Sequence, residues 1–403
     1  MTHPETPSSL PLLQVENLTT AFGAKLAYVD AVRDVSFSVG GGRVLGIVGE
    51  SGSGKSVCAR SILRLLRAPG WVRQGRVLLE GRNLLDLPEA EMREIRGKDI
   101  AMVFQDPQSA LNPVMRVGDQ IVEALLVHGV PRYVARARAL ELLGQVGIPD
   151  VERTIDNYPH EFSGGMRQRV VIAIALANKP KLLIADEPTT ALDVTIQAQI
   201  LRLLVELRDQ LGIAIIMITH DIGVVAELCD DVVVMYGGRL VESGPVGQVL
   251  TAPLHPYTVA LLRAVPKLSG DDARLPAIPG QPPLPARLPN GCAFHPRCSV
   301  AQPVCQTRLP QMVQLEPGHS AACFVSQSGE RALAPATVAR DGDAPHTEQT
   351  SQPYLSVRNL RTDVAAASGG LLGRHTPVFA VDDISFDVSA GRTFGLVGES
   401  GCG

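Results

Sequence analysis

The chain has 403 residues, of which 45% are hydrophobic, enough to bury the cores of two or three domains. Its 37 basic and 41 acidic residues give a net charge of −4, so no basic surplus favours a nucleic-acid partner. The longest apolar run, VVIAIALA at 170–177, is shorter than the roughly 20 residues that span a membrane. No signal peptide is visible, so we expect a soluble protein. In a reducing cytosol, its seven cysteines favour metal binding or catalysis over disulfides.

The first predicted elements are strands around a glycine-rich loop. LLQVENLTT (12–20) and VRDVSFSV (32–39) alternate apolar and polar residues, which predicts half-exposed antiparallel strands. RVLGIVG (43–49) is almost continuously apolar and predicts a buried strand. After the loop, SVCARSILRLLRA (56–68) has a helical pattern, and DIAMVFQ (99–105) predicts another strand.

A helical insertion is expected at about 106–165, and core strands follow it. KLLIADE (181–187) and IAIIMITH (213–220) are apolar runs that end in polar residues. They predict parallel strands with chemistry at their carboxyl ends, where open α/β sheets place it. DVVVMYGGRLVESG (231–244) predicts a hairpin that turns at Gly237-Gly238.

The rest of the chain divides into an extension, a linker and a partial repeat. Residues 266–325 are rich in proline and cysteine, and the polar stretch 326–353 predicts a flexible linker. Residues 381–403 align without gaps to 32–54, with fourteen of 23 positions identical. The simplest interpretation is a tandem protein with an incomplete second copy at 354–403, which we expect to be poorly anchored.

One stretch of the first copy matches a phosphate-binding pattern. GESGSGKS at 49–56 fits G-x-x-x-x-G-K-[ST] at every position. The backbone N–H groups of such a loop converge on phosphates, and the following helix adds its positive end. The strand–loop–helix context favours this interpretation over a chance glycine-rich turn. The predicted nucleotide-binding residues are Gly49, Ser51, Gly52, Gly54, Lys55 and Ser56. The partial copy, Gly398–Gly403, lacks the lysine, so we expect it to bind no nucleotide.

Two further motifs point to hydrolysis and to a paired domain. Asp186 can hold Mg²⁺ through water, and its neighbour Glu187 can polarise an attacking water. Ser163, Gly164 and Gly165 precede a strong helical run and predict a second phosphate-binding helix start. One domain does not need two such sites for one nucleotide, whereas two domains that face each other do.

Residues 12–265 resemble the ATP-binding subunits of ABC transporters, with the motifs in the expected order. The resemblance implies that Gly49–Ser56 is the Walker A loop and that Ser163–Met166 is the signature motif. It also implies that Asp186 belongs to Walker B and that Glu187 is the catalytic glutamate. The expected fold is a P-loop NTPase of the α/β class, an ABC-type nucleotide-binding domain with an antiparallel β subdomain and a helical insertion.

The same resemblance assigns roles to residues outside these loops. Gln105 in VFQDPQ matches the Q-loop, which contributes to the Mg²⁺ site and links the nucleotide to the membrane subunits. Asp193 in TTALD matches the D-loop, and His220 in ITHD matches the switch histidine that contacts the γ-phosphate. Phe22 fits the adenine-stacking aromatic by its distance from the first strand, and Tyr28 is its competitor, since stacking needs only a π face.

Two features resemble the peptide and nickel importer branch of that family. The signature reads FSGGM rather than the usual LSGGQ, so Met166 replaces a glutamine contact while the phosphate-facing serine and glycines remain. HPYTVALLRAVP (255–266) and the cysteine-rich extension are similar to the same branch. The resemblance implies an ATPase that powers uptake of a dipeptide, oligopeptide, glutathione, nickel or a related solute.

The resemblance also implies partners and a location. The expected partners are transmembrane permease subunits, a solute-binding protein and a second ABC ATPase domain, and the expected location is the cytoplasmic face of the inner membrane. Three alternatives are open: a non-transport ABC ATPase acting on DNA or ribosomes, a redox-sensing iron–sulfur ATPase, and an inactive binding fragment. The absence of basic arms and of a coiled-coil insertion speaks against the first.

The extension contains four cysteines with the spacing C-x5-C-x6-C-x17-C, and these are Cys292, Cys298, Cys305 and Cys323. Four thiolates can hold zinc or an iron–sulfur cluster, but zinc sites usually include a C-x2–4-C pair, which this spacing lacks. Similarity to the peptide-importer branch implies a [4Fe–4S] cluster, while zinc and ordinary thiols remain alternatives. His295 and His319 are substitute ligands, and Cys58 and Cys229 are predicted to lie in the core.

Overall fold

The computed structural model describes residues 11–190, 192–265, 278–330, 353–363, 379–398 and 402. It divides into two units, which are described separately: residues 1–190 with 199–338, and residues 191–198 with 339–403. Residues 331–352 of the predicted linker, residues 266–277 of the extension and most of the partial loop at 398–403 lie outside the described residues.

The described strands follow one another along the chain with these bounds: β1 Leu13–Ala24, β2 Ala27–Val39, β3 Val44–Val48, β4 Gly70–Leu79, β5 Arg82–Asn83, β6 Ile100–Val103, β7 Leu182–Asp186, β8 Ala214–Thr219, β9 Asp231–Tyr236, β10 Arg239–Pro245, β11 Val313–Glu316, β12 His319–Ala321, β13 Leu355–Asp363 and β14 Phe379–Val388. The described helices are α1 Lys55–Ile62, α2 Glu89–Ile95, α3 Pro107–Ala110, α4 Val117–Leu126, α5 Arg132–Gln145, α6 Val151–Thr154, α7 Gly164–Leu176, α8 Val194–Leu211, α9 Ile222–Leu228, α10 Val246–Thr251, α11 Pro256–Arg263, α12 Pro303–Thr307 and α13 Phe324–Gln327.

Two sheets form the first unit. An antiparallel sheet has the order β2-β1-β4-β5, and a larger sheet has the order β11-β12-β10-β9-β3-β8-β7-β6. In the larger sheet β9, β3, β8, β7 and β6 are parallel, whereas β10 and β12 pair antiparallel. This arrangement confirms the predicted α/β class with an antiparallel β subdomain.

The parallel strands are buried because their sequences are apolar on both faces. Every residue of β3, β7 and β8 is buried, as their continuous apolar runs predict. Burying each Val, Leu or Ile side chain contributes roughly 1.5–3 kcal/mol relative to exposure. The main core cluster also includes Leu13 and Val35 of the antiparallel sheet and Ile62 of α1. The two sheets therefore share one core, with α1 between them.

The predicted hairpin and helical insertion are both present. β9 and β10 pair antiparallel around Gly237 and Gly238, whose φ angles of +56° and +81° suit glycine. The stretch from 107 to 154 contains α3 to α6, and α7 begins at Gly164. Helix α1 ends at Ile62, earlier than the sequence pattern predicts, and a short loop leads from it into β4 at Gly70.

The proline- and cysteine-rich extension joins the larger sheet. β12 pairs with β10 through Glu242 and Ser243, and β11 pairs with β12. Three contacts meet on the fully buried Glu242 carboxylate: Oε1 accepts from the Leu254 N–H at 2.7 Å, Oε2 accepts from the His255 N–H at 2.9 Å, and His319 Nε2 lies 2.8 Å from Oε1. This one carboxylate ties β10, the start of α11 and the extension together.

Burial sets the protonation state of His255, which lies at the start of α11. Its Nδ1 accepts a hydrogen bond from the Tyr257 N–H at 3.1 Å and so caps α11. Burial lowers the pKa of His255 to about 4, which outweighs the opposing effect of Glu242. The imidazole is therefore neutral at physiological pH and can accept the capping hydrogen bond.

The second unit contains the antiparallel hairpin of β13 and β14. Asn359 and Asp383 occupy positive-φ positions in it and are joined by a hydrogen bond of 2.6 Å. The first unit has the equivalent pair, Asn17 and Asp34, joined at 2.8 Å on β1 and β2. The repeat seen in the sequence is thus also a repeat of local backbone geometry. In the part of the chain that the structure describes, no helix is both long and apolar enough to cross a bilayer.

Replacing Glu242 with alanine should lower the free energy of unfolding by about 3 kcal/mol or more, because the buried imidazole of His319 and the N–H groups of Leu254 and His255 lose their acceptor. Urea denaturation measures this loss. The control is Glu316→Ala, at a half-exposed carboxylate 3.8 Å from His319 Nδ1, for which we expect about 1 kcal/mol or less. Equal losses for the two variants would contradict the assigned role of Glu242.

Candidate nucleotide-binding site

The phosphate loop connects β3 to α1, and two positions in it require glycine. Gly49 has a φ of +152°, and a Cβ there would lie 2.2 Å from the carbonyl oxygen of Met235. Gly54 has a φ of +102°, and a Cβ there would lie 2.8 Å from the carbonyl oxygen of Ala31. Neighbouring backbone therefore fixes both ends of the loop, which leaves its N–H groups in a defined place for a phosphate.

Lys55 is the first residue of α1 and its side chain folds back over the loop. It is 5% exposed, and its Nζ donates to the carbonyl oxygens of Gly49 at 2.7 Å and Glu50 at 3.0 Å. Burial lowers the pKa of Lys55, while the carboxylates of Glu187 and Asp186 oppose that effect. A buried cation at the start of a helix suits the charge of a nucleotide's phosphates.

Ser56 and Asp186 form the centre of the site. Ser56 Oγ donates to Asp186 Oδ1 at 2.8 Å, and the Asp186 side chain is fully buried at the end of β7. Asp186 Oδ2 has no hydrogen-bond partner among the described residues. Burial raises the pKa of Asp186, and the hydrogen bond from Ser56 opposes that shift. A buried, unpaired carboxylate oxygen beside a hydroxyl is a donor set that fits Mg²⁺.

The carboxylate of Glu187 contacts side chains that follow β6, β7 and β8. Its Oε2 accepts from Gln105 Nε2 and from Thr190 Oγ1, both at 2.9 Å, and its Oε1 lies 3.4 Å from His220 Nδ1. The φ of Glu187 is +48°, and its N–H donates to the carbonyl oxygen of Ile218 at 2.9 Å. A non-glycine residue held in this region stores strain, which often marks a functional site. The predicted Gln105, Glu187 and His220 are therefore brought together.

Ser163 immediately precedes α7, as its pattern predicts. Its Oγ accepts from the Met166 N–H at 3.3 Å and caps the helix. No hydrogen bond or ion pair between described residues joins Ser163, Gly164 or Gly165 to the phosphate loop. Asp193 lies in the second unit, where its Oδ1 accepts from the Ile196 N–H at 2.8 Å at the start of α8.

The two candidate adenine-stacking rings have different surroundings. Phe22 on β1 is half-buried against Gly70, where an added Cβ would lie 2.7 Å from its ring. Tyr28 on β2 is exposed, with its ring edge against Trp71 at 5.8 Å between centroids and the guanidinium of Arg73 5.4 Å from its ring centre. Tyr28 presents more free ring surface, and the choice between the two stays a prediction.

The four extension cysteines line one small, apolar cavity of about 10 Å³, together with His295. Burial raises the pKa of Cys292 to about 12 and that of Cys298 to about 11. Across the described ranges, no three His, Cys, Asp or Glu side chains are arranged to hold a metal ion. His319 is paired with Glu242 and does not line the cavity. As predicted, Cys58 is buried in the main core, and Cys229 packs against the second core cluster.

Sequence reasoning missed two contributors to the site. Thr190 was not selected, although a hydroxyl three residues after Glu187 is a recognisable local signal for a side-chain contact. Tyr257 was noted only as part of a resemblance, yet its Oη accepts from the Glu50 N–H in the phosphate loop at 2.7 Å. The second contact spans 207 residues, so no local pattern could have revealed it.

A phosphate loop bearing Lys55 and Ser56, with Asp186 and Glu187 at the end of a nearby parallel strand, defines a P-loop NTPase. The antiparallel sheet and the helical insertion narrow this class to the ATP-binding cassettes. The family described as ABC transporter matches residues 32–190, and the family described as oligopeptide/dipeptide transporter, C-terminal region, matches residues 241–305. The chain belongs to the ABC transporter family of ATP-binding proteins, and it is an ATPase of that family.

Individual relatives support the same assignment. A probable peptide ABC transporter ATP-binding protein of Sinorhizobium fredii is 54% identical over 318 residues, covering 78% of this chain and 95% of the relative. The oligopeptide transport ATP-binding protein of Haemophilus influenzae is 49% identical over 317 residues, covering 78% of this chain and 98% of the relative.

Solved structures show the same cassette. A dimeric ATP-binding cassette in a post-hydrolysis state, bound to ADP and Pi, matches with a TM-score of 0.52 and 29% identity, covering 58% of this chain and 98% of that one. The protein cbiO1 of Clostridium perfringens, part of the ABC transporter complex cbiONQ, matches with a TM-score of 0.51 and 32% identity, covering 59% of this chain and 90% of that one.

Replacing Asp186 with asparagine should stabilise the metal-free protein at neutral pH. Because burial raises the pKa of this carboxyl group above its unfolded value, the ionised form costs stability, and that cost grows as pH rises through the folded pKa. The advantage of the variant should vanish below about pH 4, the unfolded value. Thermal unfolding across pH measures it.

In the same assay, Mg-ATP should raise the unfolding temperature of the wild type but raise that of the Asp186→Asn variant much less. Asp209→Asn, at an exposed carboxylate, is the matched control and should respond like the wild type. An Asp186→Asn protein that is less stable without metal, or equally stabilised by Mg-ATP, would contradict the assignment.

Proposed function

We propose that this protein is the ATP-hydrolysing subunit of an ABC importer and energises the uptake of peptides or related small solutes. The observation that carries the proposal is the convergence of Lys55, Ser56, Asp186, Glu187 and His220 at the ends of parallel strands, in a chain with an oligopeptide/dipeptide transporter C-terminal region. The relatives named above are peptide and oligopeptide transport proteins, which supports the choice of solute class.

We assign each residue of the site a separate role in ATP hydrolysis. The phosphate loop and Lys55 would bind the phosphates, and Ser56 and Asp186, with Gln105, would hold Mg²⁺, which neutralises phosphate charge. Glu187 would polarise the attacking water, and the contacts of its carboxylate with Gln105 and Thr190 support this role. His220, 3.4 Å from Glu187, would contact the γ-phosphate.

Hydrolysis would be coupled to a second cassette and to membrane subunits. Because Ser163 to Gly165 have no described link to their own phosphate loop, we propose that they bind the γ-phosphate of a nucleotide on a facing cassette. That cassette would be a second copy of this domain, whether in another chain or in the same one. Closure of the pair would be transmitted near Gln105 to permease subunits, which places the protein at the cytoplasmic face of the inner membrane.

Substitution of Glu187 by glutamine tests the ATPase and the transport function together. The variant should keep ATP binding but lose at least about a hundredfold in hydrolysis rate, because the water-polarising carboxylate is gone. In a strain that lacks the gene, the wild type should restore uptake of a labelled peptide and the variant should not. The control is Glu227→Gln on the exposed face of α9.

Full hydrolysis by the Glu187→Gln variant would remove Glu187 from the catalytic role. Normal ATP turnover without any effect of gene deletion on peptide uptake would instead keep the ATPase and overturn the solute class.

We also propose that Cys292, Cys298, Cys305 and Cys323 hold a metal centre, with a [4Fe–4S] cluster ahead of zinc. Its support is that all four thiols line one cavity of the extension. In the described part of the chain the four thiols are not yet arranged to hold a metal ion, so loading requires them to move closer together. The raised pKa values of Cys292 and Cys298 keep these thiols protonated until a metal ion displaces the protons.

Anaerobic purification followed by iron, sulfide and zinc analysis tests this centre. The wild type should contain the metal and, for a cluster, an iron-type absorbance band. Cys298→Ser should lose most of both, while Cys402→Ser, at an exposed cysteine, should keep them. Metal-free wild-type protein, or equal metal in the two variants, would show that these are ordinary thiols.

A further inference from the structure

Glu50 is the second residue of the phosphate loop, and each of its polar groups is held. Its N–H donates to Tyr257 Oη at 2.7 Å, and its carbonyl oxygen accepts from Lys55 Nζ at 3.0 Å. Its carboxylate receives two hydrogen bonds from Arg297, from Nη1 at 2.6 Å and from Nη2 at 3.0 Å. Two of these three partners lie outside the loop, more than 200 residues away.

Arg297 is itself tightly held within the extension. It is 7% exposed, its Nε donates to the carbonyl oxygen of Pro279 at 2.8 Å, and its Nη1 also donates to Tyr236 Oη at 3.2 Å. Its guanidinium lies 5.9 Å from the ring centre of Tyr236 and 6.0 Å from that of Phe294. A guanidinium fixed in this way loses little further freedom when it pairs with a carboxylate, so the pair is well defined.

The charge of Glu50 explains why such a partner is needed. A carboxylate in a phosphate-binding loop adds a negative charge where a polyanion must bind, and Coulomb repulsion at partly buried sites is poorly screened. The Glu50 side chain is 24% exposed and that of Arg297 is 6% exposed, so solvent does little to cancel the charge. Arg297 supplies the compensating charge from the extension.

The pair also faces the catalytic side of the site. Glu50, Arg297, Gly49 and His220 line one cavity of about 330 Å³. Without Arg297, the Glu50 carboxylate would therefore be free to move into the space beside His220, the residue proposed to contact the γ-phosphate.

We propose that Arg297 is a positioning residue for ATP binding: it neutralises Glu50 and fixes the phosphate loop, so that the extension is part of the nucleotide site. The inference rests on the ATP-binding function proposed above and goes beyond it by giving the extension a role in that function. A purely structural ion pair would change stability but leave the ATP affinity of the folded protein unaltered.

The test measures the dissociation constant for ATP by calorimetry on the full chain, at a temperature where each variant is folded by circular dichroism. Arg297→Ala should weaken ATP binding about tenfold, the equivalent of about 1.4 kcal/mol, with a smaller change in kcat than in KM. Arg308→Ala is the matched control, since that exposed arginine of the same extension lies over Phe324 instead. It should bind ATP like the wild type.

A second substitution separates charge from packing. Adding Glu50→Gln to Arg297→Ala removes the unpaired carboxylate and should restore affinity to within about twofold to threefold of the wild type, whereas lost packing would not be restored. Arg297→Lys should fall between the wild type and the alanine variant, because it keeps the charge and loses the two-pronged geometry.

Unchanged ATP affinity in folded Arg297→Ala would overturn the inference, as would a double variant as weak as the single one. If the wild type itself bound no ATP, the proposed function would fail, and that result is distinct from either outcome.

Discussion

The buried carboxylate of Asp186 is the constraint on which the rest of the site depends. It ends β7 with no exposed surface, one oxygen on Ser56 and the other without a described partner. Such a group is costly in a protein interior unless a cation compensates it. The apolar strands around it make the interior that raises its pKa, and the phosphate loop beside β7 supplies Ser56. In the function proposed above, this cost in stability lies where a metal ion and phosphates would bind.

Two charged contacts make the extension part of the cassette rather than an appendage. Glu242 joins β10 to β12 through His319, and Arg297 joins the extension to the phosphate loop through Glu50. Aromatic packing of Tyr236, Tyr257 and Phe294 lies between them, with ring centroids 4.6 to 5.3 Å apart. These two hydrogen-bonded pairs, packed among aromatic rings, fix the register of the extension on the sheet. Burial of apolar area alone would not fix it, because apolar contacts are not directional.

Much of the fold was predictable because its signals are local. β3, β7 and β8 follow from apolar runs, and the β9–β10 hairpin follows from two adjacent glycines. β4 gave no clear signal, since polar residues and a bulge at Gly75 interrupt its alternation. β11 and β12 are only four and three residues long, and they exist because β10 offers an edge to pair with.

The sequence by itself determined which functional groups this protein carries. These are a phosphate loop whose positive-φ positions are occupied by glycine, a lysine and a serine at its end, and acidic residues at the end of an apolar strand. These follow from backbone sterics and from the chemistry that phosphates require, which act over a few residues. The tertiary structure alone decided that Glu187 meets Gln105 and His220, and that Arg297 reaches Glu50. Those contacts join segments up to 247 residues apart, and only the packing of strands and extension around a shared core brings them within hydrogen-bond distance.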